Sequence, residues 1–152
     1  MVAYETEKMV PAFDEIKGLI VGHWKELANF KDEIPLDPDW DKYKAMEEAG
    51  LLAMATARDN GKLVGYSIFF VVTMMHYKST RVASNDVVYL HPEYRKGYTG
   101  IRLLKYSHEM IKSLGVKKIL WHLKPKSDWS PILERMGYFK EEILMGTYLV
   151  GD

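Results

Sequence analysis

The chain has 152 residues, 47% hydrophobic and 28% charged, with 21 basic and 21 acidic side chains and no cysteine. This is the composition of a globular protein large enough to bury one core, and it excludes disulfides, thiol nucleophiles and thiolate metal sites. Zero net charge gives no overall attraction to nucleic acid, and no apolar run reaches 18 residues: the longest, Leu63 to Met75, is interrupted by Gly65, Tyr66 and Ser67.

The charge is unevenly spread. Residues 1–50 hold 12 acidic and 6 basic side chains, and residues 51–152 hold 9 and 15. A basic half suits a polyanionic ligand and an acidic half suits a cationic one, although ordinary surface variation gives the same split. The N-terminal MVAYETEKMV has no basic-then-apolar leader pattern. With the absence of cysteine, this leads to the expectation of a cytoplasmic protein. No repeat, low-complexity segment or second domain is visible, so residues 1–152 are read as one domain.

Taken in order, Tyr4 to Leu27 reads as a helix with Ile16, Ile20 and Trp24 on one side, and Pro11 permits a later start near Met9. Phe30 to Trp40 carries two prolines and four acids and reads as a loop. Asp37 or Asp39 can cap a second helix from Trp40 to Glu48, stopped by Gly50. Leu52 to Ala57 reads as a strand, Asp59-Asn60-Gly61-Lys62 as a tight hairpin turn, and Leu63 to Met75 as the return strand. His76 to Thr80 then connects to a third strand, Val82 to Leu90. Lys117 to Leu123 reads as a further strand, Ser130 to Arg135 as a short helix with an early proline, and Glu142 to Val150 as a final strand.

Asn85 to Leu114 organises the rest. The apolar run Val87-Val88-Tyr89-Leu90 is stopped by His91-Pro92, because Pro92 has no N–H for a ladder. Tyr94-Arg95-Lys96-Gly97-Tyr98-Thr99-Gly100 follows and leads into a helix with Leu104, His108 and Ile111 on one face, ended by Gly115. Strand, glycine-bearing loop, helix is an arrangement that binds phosphate: the first-turn N–H groups and the helix dipole favour an anion. Arg95 and Lys96 add positive charge in the same turn. Glycines there also serve turn geometry with no ligand.

The string Pro92-Glu93-Tyr94-Arg95-x-Gly97-x-x-Gly100-x-x-Leu103-Leu104 resembles the acetyl-CoA pyrophosphate loop of the GCN5-related N-acetyltransferase (GNAT) superfamily. Arg95 and Gly100 fall on the first and last positions of that pattern; Tyr98 stands where its middle glycine is expected, and Gly97 is displaced by one. Leu133-Glu134-Arg135-Met136-Gly137-Tyr138 resembles the end of the family's last helix, so the two matches span roughly residues 50 to 145. The layout is also similar to GNAT proteins carried in phage genomes.

The resemblance implies an α/β (α+β) fold with a central mixed, mostly antiparallel sheet flanked by helices. It implies acetyl-CoA as co-substrate, an amine acceptor, and a homodimer as a common assembly. For the cofactor it implies Val88, Tyr89 and Leu90 along the pantetheine arm and Arg95, Lys96, Gly97, Tyr98, Thr99 and Gly100 around the phosphates, with the Leu90 N–H polarising the thioester carbonyl.

The implied activity is acetyl transfer to a primary amine, on a small molecule or on a protein lysine or N-terminus. Direct attack is expected, since no cysteine can carry an acyl group. The general base is open among Asp86, His76, His23 and Glu26, with Asp86 first. Leu133 stands where the family frequently places a tyrosine acid. This leaves the alternative of a weak or inactive GNAT-fold protein that binds acyl-CoA or a protein partner. The five histidines form no spaced pair on one element, so no metal is expected. Gly97-Tyr98-Thr99-Gly100 is also a GxxG, as in RNA-clamping KH modules, but a strand precedes it here. Neither nucleic acid nor membrane is expected as a partner.

Overall fold

The computed structural model describes residues 1–150. Its sheet is built from five strands in the order of the chain: β1 (Val2–Glu7), β2 (Leu52–Asp59), β3 (Lys62–Met74), β4 (Tyr77–Leu90) and β5 (Lys118–Leu120). The first three neighbouring pairs are antiparallel, and β4 with β5 is parallel. The helices are α1 (Phe13–Leu27), α2 (Trp40–Glu48), α3 (Thr99–Ser113) and α4 (Ser130–Arg135). The Asn-Gly signal builds the β2–β3 turn, with φ of +50° at Asn60 and +86° at Gly61, as a two-residue hairpin requires.

Each sheet face has its own core. Leu103, Met110 and Ile111 of α3 pack on Ala55, Val64, Phe69, Val71 and Ala83. On the other face Met9, Ala12 and Ile16 cover Met54, Leu63, Tyr66, Ile68 and Tyr89, with Trp40 and Tyr43 of α2 beside them. This is the mixed, mostly antiparallel sheet between helices that the resemblance implies.

Four expectations are corrected. The N-terminal helix begins at Phe13, and the residues before it form β1 and a short 3₁₀ turn at Val10–Ala12. The competing period of two wins there: Val2 and Tyr4 pack toward α3, the Tyr4 hydroxyl donates to Thr99 O at 3.3 Å, and Thr6 Oγ1 lies 3.1 Å from the Tyr106 hydroxyl. Glu47 of α2 accepts from the backbone N–H groups of Met9 and Val10, satisfying donors that the turn leaves free. The segment from Tyr77 to Thr80 is strand, since β4 starts immediately after the turn at His76. Only Lys118–Leu120 of the segment Lys117 to Leu123 pairs in the sheet. Glu142 to Val150 forms no strand, because β5 ends before offering it an edge.

Arg58 ties three elements together. Its Nε donates to Glu7 Oε2 at 2.9 Å, its Nη1 to Glu15 Oε2 and Gly61 O at 2.8 Å each, and its Nη2 to Glu15 Oε1 at 2.9 Å. The guanidinium holds the Glu15 carboxyl below its usual pKa, and Glu15 returns part of that to solvent because it is half-exposed. Arg58→Met is expected to cost about 1–3 kcal/mol by chemical denaturation at neutral pH, through lost charge-assisted bonds. The deficit should shrink as pH falls through the folded-state carboxylate pKa values, where the wild type loses the same contribution.

Candidate functional site

The site begins with a fault in the β3–β4 ladder. Ile68 is opposite Val87 and Phe69 opposite Asn85, so Asp86 is an extra, unpaired residue in a β-bulge. Buried Asn85 stabilises the bulge by donating through Nδ2 to Ile68 O and Val87 O, both at 3.1 Å. On the other side, β4 pairs with β5 only from Val82 to Ser84. Past the bulge the two strands separate, and β4 from Val87 to Leu90 keeps one free edge.

Alternation along β4 decides which backbone groups face the opening. The His91 N–H bonds to Val64 O on β3 at 2.8 Å, and Leu90 O points the other way, to Arg95 Nε at 2.7 Å. By the two-residue period, Leu90 and Val88 therefore turn their N–H and C=O groups to the open edge, while Tyr89 pairs with β3. Gly65 makes the close β3–β4 approach at this point possible. A Cβ there would lie 2.9 Å from Tyr89 O and 2.8 Å from a Leu90 methyl.

After Leu90 the chain makes a 3₁₀ turn, Pro92–Tyr94, reverses at Gly97 (φ +79°), and enters α3 at Thr99. The N–H groups of Thr99, Gly100 and Ile101 belong to the first helical turn, which has no intrahelical acceptors. Lys96 and Tyr98 are exposed in the same turn. Arg95 is exposed but engaged: besides Leu90 O it pairs with Glu26 of α1 at 2.8 Å and lies 5.4 Å over the Tyr89 ring.

Asp86 is held by one side-chain hydrogen bond. The Tyr43 hydroxyl, from α2, donates to Asp86 Oδ2 at 2.5 Å. Burial raises the Asp86 pKa, while the Tyr43 bond and the nearby His122 offset part of that rise. Burial and Asp86 together raise the Tyr43 phenol, so Tyr43 remains a donor. His122 follows β5, and its Nε2 lies 2.9 Å from Ser84 Oγ. Tyr66 of β3 is fully buried, its hydroxyl has no hydrogen-bond partner among the described residues, and burial, Tyr89 and Asp86 raise its pKa. His23 stacks on Tyr89 with ring centroids 5.1 Å apart, and burial lowers its pKa, keeping it neutral.

Tyr43, Val87, His122, His23, Trp24 and Trp121 line a cleft of about 1450 Å³, and Asp86 lies at its margin, next to Val87 in the chain and bonded to Tyr43. A half-buried carboxylate of raised pKa, bonded to a residue that lines the cleft and close in the chain to the outward N–H groups, can take a proton from a neutral nucleophile. The structure thus brings Asp86, Val88, Tyr89, Leu90, His23 and the turn Arg95–Gly100 to one end of the sheet. His76 is set apart, exposed in the β3–β4 turn ten residues from Asp86, roughly 30 Å along an extended strand. Glu26 is engaged by Arg95.

Tyr43 and His122 were not singled out from sequence. No cluster of three or more metal-ligating side chains forms among the described residues, and no helix among them is long and apolar enough to cross a membrane.

The family model described as the acetyltransferase (GNAT) family matches residues 19–138. No curated protein matches the chain. Among solved structures, a ribosomal-protein-alanine N-acetyltransferase from Brucella melitensis biovar Abortus 2308 superposes with a TM-score of 0.74 at 16% identity, covering 100% of this chain and 99% of its own. An aminoglycoside acetyltransferase from an uncultured soil metagenomic sample, in complex with trehalose, gives 0.74 at 14% identity over 99% and 97%. A predicted acetyltransferase with acetyl-CoA from Clostridium acetobutylicum gives 0.68 at 15% identity over 97% and 96%. At these identities the likeness is one of fold.

Proposed function

The chain belongs to the GNAT acetyltransferase family, and on that premise we propose that it transfers an acetyl group from acetyl-CoA to a primary amine by direct attack. The observation that carries the reading is the free β4 edge at Val88 and Leu90, with a basic turn at one end and half-buried Asp86 at the other. The donor set fits an acyl-CoA. Outward backbone groups at Val88 and Leu90 match an amide-rich arm, with Tyr89 packed behind them. Arg95, Lys96 and the turn Gly97, Tyr98, Thr99, Gly100 match its phosphates. Phosphate oxygens would compete with Glu26 for Arg95.

Acetyl-CoA supplies an activated thioester. The Leu90 N–H would donate to its carbonyl oxygen, stabilising the charge that grows there. The amine nitrogen forms the new bond to the carbonyl carbon, the carbon–sulfur bond breaks, and Asp86 takes the proton the nitrogen loses. Tyr43 holds Asp86 through its hydroxyl, and His122 lies nearby. Leu133 is buried at the position of the family's usual tyrosine acid, so water protonates the departing sulfur. In the same reading the chain acts as one domain in the cytoplasm, with acetyl-CoA and an amine as its partners.

Calorimetric titration of acetyl-CoA into the wild type and into an Arg95→Ala, Lys96→Ala double variant tests the site. Binding by the wild type, weakened about tenfold or more in the variant, is expected. No heat and no thermal shift in the wild type would remove the transferase reading and leave the turn as a structural one.

A further inference from the structure

We propose that Glu26 is a positioning residue for the cofactor. It holds Arg95 across the Leu90 end of the free β4 edge, so that the edge opens to a thioester whose phosphates draw Arg95 away and stays covered toward one without phosphates. This rests on the transferase reading above and adds to it a selection among thioesters. The Arg95 side chain is fixed at three points. Its Nε donates to Leu90 O at 2.7 Å, its Nη2 donates to Glu26 Oε1 at 2.8 Å, and the guanidinium lies 5.4 Å over the Tyr89 ring. Tyr89 is buried and packed against His23, with ring centroids 5.1 Å apart, so the platform under Arg95 is itself held in place.

Helix chemistry does not account for Glu26. It lies in the last turn of α1, where the helix dipole disfavours a carboxylate. Its side-chain partner is Arg95, 69 residues away in the chain, so the pair ties the end of α1 to the turn before α3. What the tie achieves is positional. Leu90 O is one of the outward groups that match the amides of a pantetheine arm, and the guanidinium occupies the approach to it.

The tie is also of a strength that phosphate can overcome. The Arg95 and Glu26 side chains are 42% and 36% exposed, and one guanidinium nitrogen meets one carboxylate oxygen. Such a solvated, single-point pair is weak, whereas a guanidinium can meet phosphate through two parallel bonds. Two opposite effects therefore meet in one side chain: Arg95 supplies charge for phosphates and covers an acceptor for the arm. A ligand with phosphates offsets the loss of the Glu26 and Leu90 O contacts by new ones to Arg95. Acetylpantetheine, with the same thioester and the same amides, has nothing to offer Arg95 in exchange.

The test measures dissociation constants of acetyl-CoA and acetylpantetheine with the wild type, Arg95→Ala, Glu26→Gln and the double variant. Arg95→Ala is expected to bind acetyl-CoA less tightly than the wild type and acetylpantetheine at least about twofold more tightly, an inversion that damage to the fold cannot produce. Glu26→Gln should bind acetyl-CoA about two- to fivefold more tightly, the range of an exposed ion pair. That gain should vanish in the Arg95→Ala background. Three results would overturn the inference while leaving the transferase reading in place. They are acetylpantetheine bound no better by Arg95→Ala than by the wild type, no gain in Glu26→Gln, and a gain that persists without Arg95 and so reflects charge repulsion alone. Failure of the wild type to bind acetyl-CoA overturns both.

Discussion

Asp86→Asn is expected to lower the acetyl-transfer rate by about 10²–10⁴-fold, the usual contribution of a positioned base, while leaving acetyl-CoA binding within a few-fold. The substitution is nearly isosteric, and its carbonyl oxygen can still accept from Tyr43, so the bulge and its supports persist. What disappears is the one acceptor for the amine's proton. The pH profile separates this from a structural loss. Burial, only partly offset by Tyr43 and His122, raises the Asp86 pKa, so the wild-type rate should fall as pH drops through a value above the ordinary carboxylate range. The residual activity of Asp86→Asn should lack that limb.

The same shift predicts a stability effect of opposite sign. A carboxyl whose folded-state pKa is raised binds its proton more tightly folded than unfolded. Its favourable contribution is present at low pH and is lost as pH rises through the folded pKa. Above that pH the wild type holds a desolvated charge that Asp86→Asn does not. The variant should therefore melt at a higher temperature than the wild type at pH 8, and the gap should close on acidification. A variant less stable than wild type at pH 8 would mean that Asp86 is a structural anchor.

Gly65→Val is expected to cost about 1–3 kcal/mol, as overpacking does, and to abolish measurable acetyl-CoA binding. Gly65 and Leu90 are directly opposite, and the outward turn of the Leu90 N–H makes them a non-hydrogen-bonded pair, the kind in which strands approach most closely. The new Cβ would meet Tyr89 O at 2.9 Å, a backbone atom that cannot rotate away. Relief requires β4 to move at the residues proposed to meet the pantetheine arm. A large affinity loss should thus accompany a moderate stability loss in calorimetry and denaturation of one sample. Equal affinity would show that the Leu90 edge is not where the cofactor lies.

The stretch from Asn85 to Leu114 was legible in sequence because local chemistry dictates it: an apolar run, a proline stop, a glycine of positive φ and an amphipathic helix. The hairpin at Asn60-Gly61 and the α2 cap, where Asp39 Oδ1 accepts from Lys42 N at 2.9 Å, follow from equally local rules. The N-terminal strand was not legible because the 3.6-residue pattern of Ile16, Ile20 and Trp24 extends smoothly over Tyr4 to Phe13, and only the partner strand β2 selects the period of two. Glu142 to Val150 has the apolar runs of a strand, yet composition does not supply an edge to pair with. Asp86 could be singled out from its place in the chain. Its partners could not: Tyr43 lies 43 residues before it on another element and meets it only when α2 docks on the sheet.

The most direct test of the account is to follow acetyl-CoA labelled at the acetyl carbonyl by carbon NMR, with the wild type and Asp86→Asn at stoichiometric concentration and a mixture of primary amines of varied charge and size present. The account predicts that the wild type converts the thioester carbonyl signal to an amide carbonyl signal, one amide for each thiol released, and that Asp86→Asn holds bound thioester with little conversion. Bound thioester that the wild type never converts, or an amide that forms equally fast with Asp86→Asn, would contradict it.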